Sequence, residues 1–347
     1  MSRDSRTAAA RIARLIDRVG SIPLSLFMAE ANGAYYATRD PLGVDGDFTT
    51  APEISQMFGE LIGLWAADLM LRAAMGKQAV WVELGPGRGT LSDDALRAMA
   101  GFGLAPAVHL VETSPVLRDL AAMRLPQAQF HYDIATLPTD VPLVIIANEF
   151  FDALPIRQIM RTEGGWRERQ VARLDDRFVP VPGLMPLDAA IPAAWQTQPV
   201  GTIIEQCPVG AAIMADLSHR VAVQGGAMLV ADYGYTVSQP GNTLQAIARH
   251  QFADPFAAPG QQDLTAHVDF AALASAARAE ALVVHGPAGQ GAFLRALGIG
   301  QRAATLGGGD AIAGQVHRLT DAAAMGEMFK MLAVTAPNWP TPEGFAT

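Results

Sequence analysis

Short apolar segments that alternate with helical segments are the feature of this sequence that most constrains its fold. The first such segment, Val80–Leu84, is rich in β-forming residues, and a glycine-rich turn and a helical stretch follow it. Val108–Val111 and residues 143–147 and 228–231 repeat the apolar pattern. Continuous apolar strands between helices are typical of a parallel sheet that is covered on both faces. The chain is therefore predicted to be an α/β protein with a mostly parallel sheet.

Acidic residues follow the predicted strands. In an open α/β sheet, ligands bind at the carboxyl ends of the strands. We therefore expect these carboxylates to border a ligand site. They are Glu112, Asp133, Glu149 and Asp232.

A glycine-rich turn follows the first predicted strand and has the sequence E-L-G-P-G-R-G at residues 83–89. Glycines allow a sharp turn and the close approach of a ligand, so Gly85, Gly87 and Gly89 are predicted to bind a nucleotide-like cofactor. A dinucleotide fingerprint would require its third glycine one position later, where Thr90 stands. Glu83 would repel a pyrophosphate but could accept a hydrogen bond from a cationic amino-acid group. Both observations disfavour an NAD-dependent dehydrogenase.

Two acidic residues further along the chain fit a cofactor without phosphate. Glu112, at the end of the second strand, can bind both hydroxyls of a ribose. Asp133, with Ile134 beside it, is placed to meet the exocyclic amine of adenine. This set suits S-adenosylmethionine. Ser114 is predicted to cap a helix that begins at Pro115. The alternatives are that Glu112 interacts with the dipole of this helix, and that Asp133 caps a loop.

Composition excludes several classes of protein. The 347 residues include 25 basic and 34 acidic ones, a net charge of −9, which argues against a general nucleic-acid-binding protein. The single cysteine, Cys207, excludes an internal disulfide framework and a cysteine-rich metal site, and it indicates a reducing compartment. The seven histidines include no pair four residues apart, so no metal site is predicted. No apolar run approaches the ~20 residues of a membrane-spanning helix.

The arginine-rich N-terminus is predicted to form an amphipathic helix over residues 5–19, with Ile12, Leu15, Ile16 and Val19 on one face. A cleaved targeting peptide is the less favoured interpretation, because acidic residues interrupt the segment and serines are few. We therefore expect a cytoplasmic bacterial protein, with the mitochondrial matrix as the alternative location.

The strand–helix pattern is interrupted twice. An insertion begins with a predicted hairpin of residues 156–162 and 166–174, and residues 204–221 are predicted to be the helix that re-enters the core. Residues 236–265 lack clear periodicity, which is typical of a lid or substrate wall, with surface decoration as the alternative. Residues 281–285 and 331–335 could supply two more strands.

Four regions follow from this organisation. They are an N-terminal helical cap segment (1–75), a cofactor-binding core (76–155), the inserted hairpin and loop (156–200), and the remainder of the core (201–347) with a lid insertion at about 236–270.

Five blocks of the sequence form a recognisable set. They are G-D-F-T-T-A-P-E-I-S-Q-M-F-G-E at 46–60, E-L-G-P-G-R-G-T-L at 83–91, N-E-F-F-D-A-L-P at 148–155, D-Y-G-Y at 232–235 and D-L-T-A-H-V-D-F at 263–270. Together these blocks resemble the MidA/NDUFAF7 family of class I methyltransferases. The resemblance covers nearly the whole chain and implies a Rossmann-like, seven-stranded sheet that binds S-adenosylmethionine. It also implies, for the mitochondrial member, dimethylation of an arginine on a core subunit of respiratory complex I and a role in assembling that complex.

An arginine acceptor requires acidic residues, because its guanidinium is charged and is a poor nucleophile. Carboxylates can hold the guanidinium bidentately and draw charge away from the attacking nitrogen. Glu149 and Asp152, three residues apart, are the predicted catalytic pair. Asn148 is predicted to bind the cofactor. The alternative is that Asn148 and Glu149 both contact the cofactor while Asp152 caps the following turn.

Four other residues are predicted to contact the substrate. Tyr233 and Tyr235 would wall the acceptor channel, with core packing as the alternative. Thr50 belongs to the 46–60 block, which would cover the cofactor or line the entrance, or serve as a structural clamp. His267 would be a structural or substrate-wall residue.

The sequence thus predicts an S-adenosylmethionine-dependent protein-arginine N-methyltransferase that helps to assemble a respiratory dehydrogenase. Its partner would be a protein substrate, with a complex I subunit as the candidate, and a homodimer is a further hypothesis. The alternatives are a methyltransferase for a small molecule or another protein side chain, and an assembly chaperone that binds the cofactor without catalysis.

Overall fold

A computed structural model describes residues 7–41, 43, 49–248 and 251–345. Its helices are α1 Ala8–Val19, α2 Leu24–Thr38, α3 Ala51–Ile54, α4 Gln56–Arg72, α5 Thr90–Ala100, α6 Pro115–Arg124, α7 Pro208–Gln224, α8 Phe270–Ala279, α9 Gln290–Ala296, α10 Ile299–Thr305, α11 Asp310–Thr320 and α12 Met325–Met328. Its strands are β1 Ser21–Pro23, β2 Val80–Leu84, β3 Val108–Val111, β4 Gln129–His131, β5 Leu143–Asn148, β6 Arg157–Thr162, β7 Gly165–Leu174, β8 Arg177–Pro186, β9 Ile203–Gln206, β10 Gly226–Tyr235, β11 Gln245–Ala248, β12 Gln251–Ala253, β13 Asp263–Thr265, β14 Val268–Asp269, β15 Val283–Gly289 and β16 Phe329–Thr335.

The central sheet confirms the predicted α/β class. Its strands are ordered β15-β16-β10-β5-β2-β3-β4, and the short β14 pairs with the end of β10. The pairs from β10 to β4 are parallel, whereas β16 is antiparallel to both β10 and β15. The described residues therefore form a mixed sheet of eight strands, and the predicted count of seven is not confirmed.

Strands β2 and β5 lie at the centre of the sheet, and every residue in them is buried. This burial on both faces explains why their sequences are mostly apolar. Helix α4 packs against α5, and α7 packs against α8. Because Val80 of β2 and Gly226 of β10 both pair with Leu143 of β5, the carboxyl ends of these three strands come together at one edge.

The insertion forms a separate sheet in the order β1-β7-β6-β9, with β8 on the outer side of β7. The predicted hairpin is confirmed, since β6 and β7 are antiparallel and Thr162 pairs with Gly165. The predicted helix over 204–221 is wrong at its start. Ile204 is buried in β9, which pairs with β6, and α7 begins only at Pro208.

Helices α1 and α2 pack against this second sheet. The predicted N-terminal helix is confirmed over Ala8–Val19, and residues 5 and 6 of the prediction lie outside the described residues. Ile12 and Ile16 are buried as expected and Leu15 is half-buried, but Val19, the last residue of the helix, is 68% exposed. Within the part of the chain that the structure describes, no helix is long and apolar enough to cross a membrane. The region 236–265 contributes a third sheet, in the order β12-β11-β13.

The packing of α4 on α5 gives a stability prediction. A Cβ atom on Gly63 of α4 would lie 2.6 Å from the Cα atom of Ala95 on α5, whereas a Cβ atom on Gly314 of α11 would meet nothing within 4 Å. Gly63→Ala should lower the free energy of unfolding by about 1–3 kcal/mol through overpacking. Gly314→Ala should raise it by about 0.4–1 kcal/mol, because alanine restricts the unfolded chain.

Urea unfolding followed by circular dichroism measures both changes. Equal stability of the two variants would contradict the close contact between α4 and α5.

Candidate active site

A cavity of about 1040 Å³ opens where the central strands end. The residues that follow β2, β3, β4 and β5 form its floor, and α2 covers it. Ala29, Asn32, Gly33 and Tyr36 line it from α2, and their spacing of three and four residues places them on one face of that helix. The cavity has a glycine-rich end and an acidic end.

The glycine-rich end depends on left-handed backbone. Gly85, Gly87 and Gly89 have φ values of 61°, 55° and 76°, which disfavour residues with a Cβ atom. A Cβ on Gly85 would also lie 3.2 Å from the ring of Phe150. Gly89 caps α5 rather than lining the cavity, because α5 begins at the next residue.

Glu83 lies under this turn and is buried. The hydroxyl of Ser92 donates a hydrogen bond to its carboxyl group, and Trp81 Nε1 donates to the same hydroxyl at 2.7 Å. Burial raises the pKa of Glu83 to about 7. The carboxyl group is therefore fixed in orientation and is close to half-protonated at neutral pH.

Glu112 lines the middle of the cavity. Its Oε1 accepts a hydrogen bond from the backbone N–H of Ser114 at 2.8 Å. Ser114 caps α6, as predicted, since its hydroxyl accepts from Leu117 N at 3.2 Å. Burial raises the pKa of Glu112, while backbone N–H groups of Ser114, Thr113 and Gly87 act in the opposite direction. Glu112 therefore both accepts a hydrogen bond at the start of α6 and lines the cavity, so the two interpretations of this residue do not exclude each other.

Asp133 and Ile134 border the next part of the cavity. Asp133 caps a short 3-10 turn, because its Oδ1 accepts from Ala135 N at 2.8 Å. The capping alternative is therefore present in the structure, although the exposed Asp133 also lines the cavity. Tyr132 beside it is 65% exposed, and the Arg118 guanidinium lies 4.0 Å from the centre of its ring.

At the acidic end, the buried carboxyl group of Asp232 holds the turn that follows β5. Its Oδ2 accepts from the backbone N–H groups of Phe151 at 3.0 Å and Asp152 at 3.2 Å, and its Oδ1 accepts from Tyr233 N at 3.0 Å. Glu149 adopts φ 49°, a left-handed conformation that is uncommon outside glycine. The tight turn therefore brings Glu149 and Asp152 to the same wall.

Asp152 lies close enough to Glu149 for its charge to raise the pKa of Glu149. Glu149 Oε1 accepts from Ala51 N at 3.2 Å and from Asn148 Nδ2 at 3.3 Å. Burial and the charge of Asp152 raise the pKa of Glu149 to about 8. Burial raises the pKa of Asp152 to about 6, opposed by a hydrogen bond from Tyr233. Burial, Asp152 and Glu149 raise the pKa of Asp232 as well.

Helix α2 joins the two ends of the cavity. The Tyr36 hydroxyl donates to Asp263 Oδ1 at 2.9 Å, and the Tyr36 carbonyl accepts from the Ser114 hydroxyl at 2.6 Å. The Asn32 side chain donates to the carbonyls of Ala153 at 3.0 Å and Leu264 at 2.7 Å. Sequence reasoning missed Asn32 and Tyr36, because their contacts lie more than 75 positions away along the chain.

The structure brings most predicted site residues into this one cavity. Gly89 and Tyr235 do not line it. Residues 46–48 of the 46–60 block lie outside the described residues, as do 249 and 250 of the predicted lid. The predicted residues that line the cavity are Glu83, Gly85, Gly87, Glu112, Asp133, Ile134, Asn148, Glu149, Asp152, Thr50, Tyr233 and His267.

Two buried acceptor atoms in the cavity wall lack a hydrogen-bond partner among the described residues. They are Asn148 Oδ1 and Asp152 Oδ1. Buried acceptors without partners are rare in folded proteins, so these atoms indicate ligand groups that donate hydrogen bonds. Within the same described ranges, no group of His, Cys, Asp and Glu side chains could hold a metal ion.

Comparison with known proteins assigns the family. Residues 61–288 match the family model of an S-adenosyl-L-methionine-dependent methyltransferase. The chain belongs to this methyltransferase family. It is 36% identical to the mitochondrial protein arginine methyltransferase NDUFAF7 of Xenopus tropicalis, over 87% of this chain and 79% of that protein. It is 35% identical to the NDUFAF7 of Homo sapiens, over 84% and 73%.

A solved structure agrees with this assignment. A candidate methyl transferase from Burkholderia thailandensis, bound to S-adenosyl-homocysteine, superposes with a TM-score of 0.83. The two proteins are 26% identical, and the match covers 99% of this chain and 96% of the other. The enzyme is therefore an S-adenosylmethionine-dependent methyltransferase. Its cavity fits this cofactor, since it combines a glycine turn, buried carboxyl groups and acceptor atoms without partners.

The glycine turn gives a binding prediction for the methyltransferase. Gly87→Val should abolish S-adenosylmethionine binding in isothermal titration calorimetry, because the side chain would fill space beside the turn. Gly103→Val is the matched control: Gly103 also has a left-handed φ of 72°, but a Cβ there would meet nothing within 4 Å. In each variant the left-handed backbone should lower the free energy of unfolding by about 1–2 kcal/mol, because valine has a Cβ atom. Undiminished binding by Gly87→Val would place the cofactor elsewhere.

The raised carboxyl pKa values predict how stability depends on pH. The pKa values of Glu83 and Glu149 rise from 4.5 to about 7 and about 8, so the folded protein binds protons that the unfolded chain releases. The contribution of these two groups to the free energy of unfolding should therefore be fully present below about pH 4.5 and be lost as the pH rises to about 8, by at most about 1.4 kcal/mol per pH unit for each group.

Urea unfolding at several pH values measures this slope. Glu149→Gln should make it shallower, whereas Glu163→Gln, in the exposed turn between β6 and β7, should leave it unchanged. An equal dependence of stability on pH in the wild type and in Glu149→Gln would contradict the raised pKa of Glu149.

Proposed function

We propose that this methyltransferase acts on a protein arginine. The observation that supports the proposal is the group of carboxyl side chains at the acidic end of the cavity: Glu149, Asp152 and Asp263 line it, and Asp232 lies directly behind. Buried like charges raise the free energy of the site unless a cation or protons neutralise them. A cationic acceptor is therefore the substrate that complements this wall.

The cofactor would bind at the other end. The turn of residues 85–89 would carry the methionine part beside Glu83, Glu112 would bind the ribose, and Asp133 with Ile134 would border the adenine. Asn148 Oδ1 would accept a hydrogen bond from the cofactor between the two ends. When bound, S-adenosylmethionine supplies an electrophilic methyl group on its sulfonium sulfur.

Glu149 and Asp152 would hold the guanidinium of the acceptor. A guanidinium offers several N–H donors in one plane, and two carboxylates can bind it on different edges. This contact draws positive charge away from the nitrogen that attacks the methyl group. The nitrogen must lose a proton when it gains the methyl group. Without a bound cation, Glu149 with its pKa of about 8 is protonated near neutral pH, but a bound guanidinium favours the ionised carboxylate, which can then accept that proton.

Thr50, Tyr233 and His267 would form the walls around the acceptor. Tyr233 is nine-tenths buried, and its ring centre lies 5.5 Å from that of His267, so both residues also pack in the cavity wall. Tyr235 would act only indirectly, because it lies beyond the cavity. The N-terminal segment 1–75 would serve as a cap, since α2 roofs the cavity, and part of 236–270 as a lid.

The substrate protein is proposed by analogy. The relatives are named as protein arginine methyltransferases of mitochondria. We infer by extension that this chain dimethylates an arginine on a subunit of respiratory complex I and helps to assemble that complex. A homodimer and a cytoplasmic location in a bacterium, or a mitochondrial matrix location, are parts of the same proposal.

Mass spectrometry of complex I subunits, from cells with and without the gene, tests the proposed substrate. A dimethylated arginine that disappears on deletion supports it. Unchanged subunits together with an active enzyme would favour a small molecule or another protein side chain. Unchanged subunits, impaired assembly and an inactive enzyme would favour a binding chaperone.

Substitutions of the two carboxyl groups test their roles. Glu149→Gln and Asp152→Asn should each lower kcat/KM for an arginine peptide by about 30-fold or more, because each leaves a buried cation with less compensation. The dissociation constant for S-adenosylmethionine should change little. Methyl transfer from a labelled cofactor and isothermal titration measure the two quantities.

Asp140→Asn, in an exposed loop, is the control and should leave both quantities unchanged. Loss of cofactor binding in Glu149→Gln would show that Glu149 belongs to the cofactor site and that the division of roles is wrong.

A further inference from the structure

Two apolar side chains stand at the mouth of the cavity and are exposed to solvent. Phe252 of β12 is 80% exposed and Met328 of α12 is 55% exposed, yet both line the cavity. Exposed aromatic side chains beside a binding cavity are typical of surfaces that a partner covers. Neither residue has a place in the chemistry of methyl transfer.

The third sheet connects this mouth to the acidic end. Ile247 of β11 pairs with Phe252 on one side and with Asp263 on the other. Directly paired residues of antiparallel strands share a face of the sheet, and all three side chains line the cavity. They therefore form a row from solvent to the carboxyl groups, roughly 10 Å long, or two strand spacings.

β12 is also the edge strand of this sheet. It pairs with β11, and the path of strands ends there among the described residues. An edge strand leaves backbone N–H and C=O groups available on its outer side, and an extended polypeptide can pair with them. The mouth thus offers backbone hydrogen bonds and an apolar contact next to an acidic chamber.

We propose that the polypeptide carrying the arginine docks in an extended conformation along β12, with an apolar side chain near the arginine packed against Phe252 and Met328. This inference rests on the proposed function of the same cavity. The occupant is a protein segment rather than a free amino acid, because the apolar mouth lies outside the acidic chamber that would receive the guanidinium. The arginine side chain would extend over the face of the sheet that lines the cavity and point towards its acidic end.

Kinetics with matched peptides test the docking surface. The probes are a library of 15-residue peptides, each with one central arginine, and labelled S-adenosylmethionine. For a methylated peptide with an apolar residue near its arginine, Phe252→Ala should raise KM about ten-fold and leave kcat within about two-fold, since a buried aromatic contact is lost. Phe252→Leu should have a KM between those of the wild type and Phe252→Ala, because leucine keeps part of the apolar contact.

A second peptide isolates the contact. When glycine replaces the apolar neighbours of the arginine, wild-type KM should rise by a similar factor, and Phe252→Ala should then have no further effect. Leu184→Ala is the control, because Leu184 is 95% exposed on β8 and lies outside the cavity. Cofactor affinity should be unchanged in all these variants, which also shows that they are folded.

The outcomes separate this inference from the proposed function. Methylated peptides whose KM does not respond to Phe252→Ala would overturn the docking surface and leave the arginine activity standing. If Phe252→Ala raises KM equally for the two peptides, or lowers kcat alone, the docking surface is also overturned. Either result would indicate that Phe252 affects closure of the cavity rather than recognition of the residues beside the arginine. If none of the arginine peptides in the library is methylated, both proposals are overturned.

Discussion

The buried carboxyl group of Asp232 is the contact on which the acidic end of the cavity depends. It accepts hydrogen bonds from the backbone of Phe151, Asp152 and Tyr233, and so joins the ends of β5 and β10. A carboxyl group that accepts three backbone N–H groups fixes local geometry much as a helix cap does. The left-handed backbone of Glu149 is held within this turn. The acidic wall of the cavity is therefore positioned by the sheet rather than by a loose loop.

Helix α2 gives the cavity its second wall and connects its two ends. The backbone of Tyr36 contacts the start of α6 beside Glu112, and its hydroxyl contacts Asp263 at the acidic end. Asn32 holds the segments around Ala153 and Leu264 in place. The helix precedes the strands of the central sheet in the chain, yet its hydrogen bonds connect the glycine-rich end of the cavity to the acidic end.

Much of the fold was predictable, because it depends on local patterns. Val80–Leu84 and Val108–Val111 are strands with the predicted bounds, and Ser114 caps its helix as expected. The residues 204–206 were misassigned to a helix, because a short apolar run has no period of its own and β9 exists only through its pairing with β6. The candidate site was found through acidic residues at strand ends. The roles of those residues stay predictions.

The sequence by itself determined the strands, the glycine turn and the places where carboxyl groups follow strands, since burial and φ preferences act on neighbouring residues. Only the tertiary structure decided the antiparallel direction of β16, the joining of Tyr36 to Asp263, and the row of Phe252, Ile247 and Asp263. An apolar strand can be buried in either direction, so its orientation depends on its partners. Contacts between residues more than 200 positions apart arise only when the chain has folded, as for Tyr36 and Asp263.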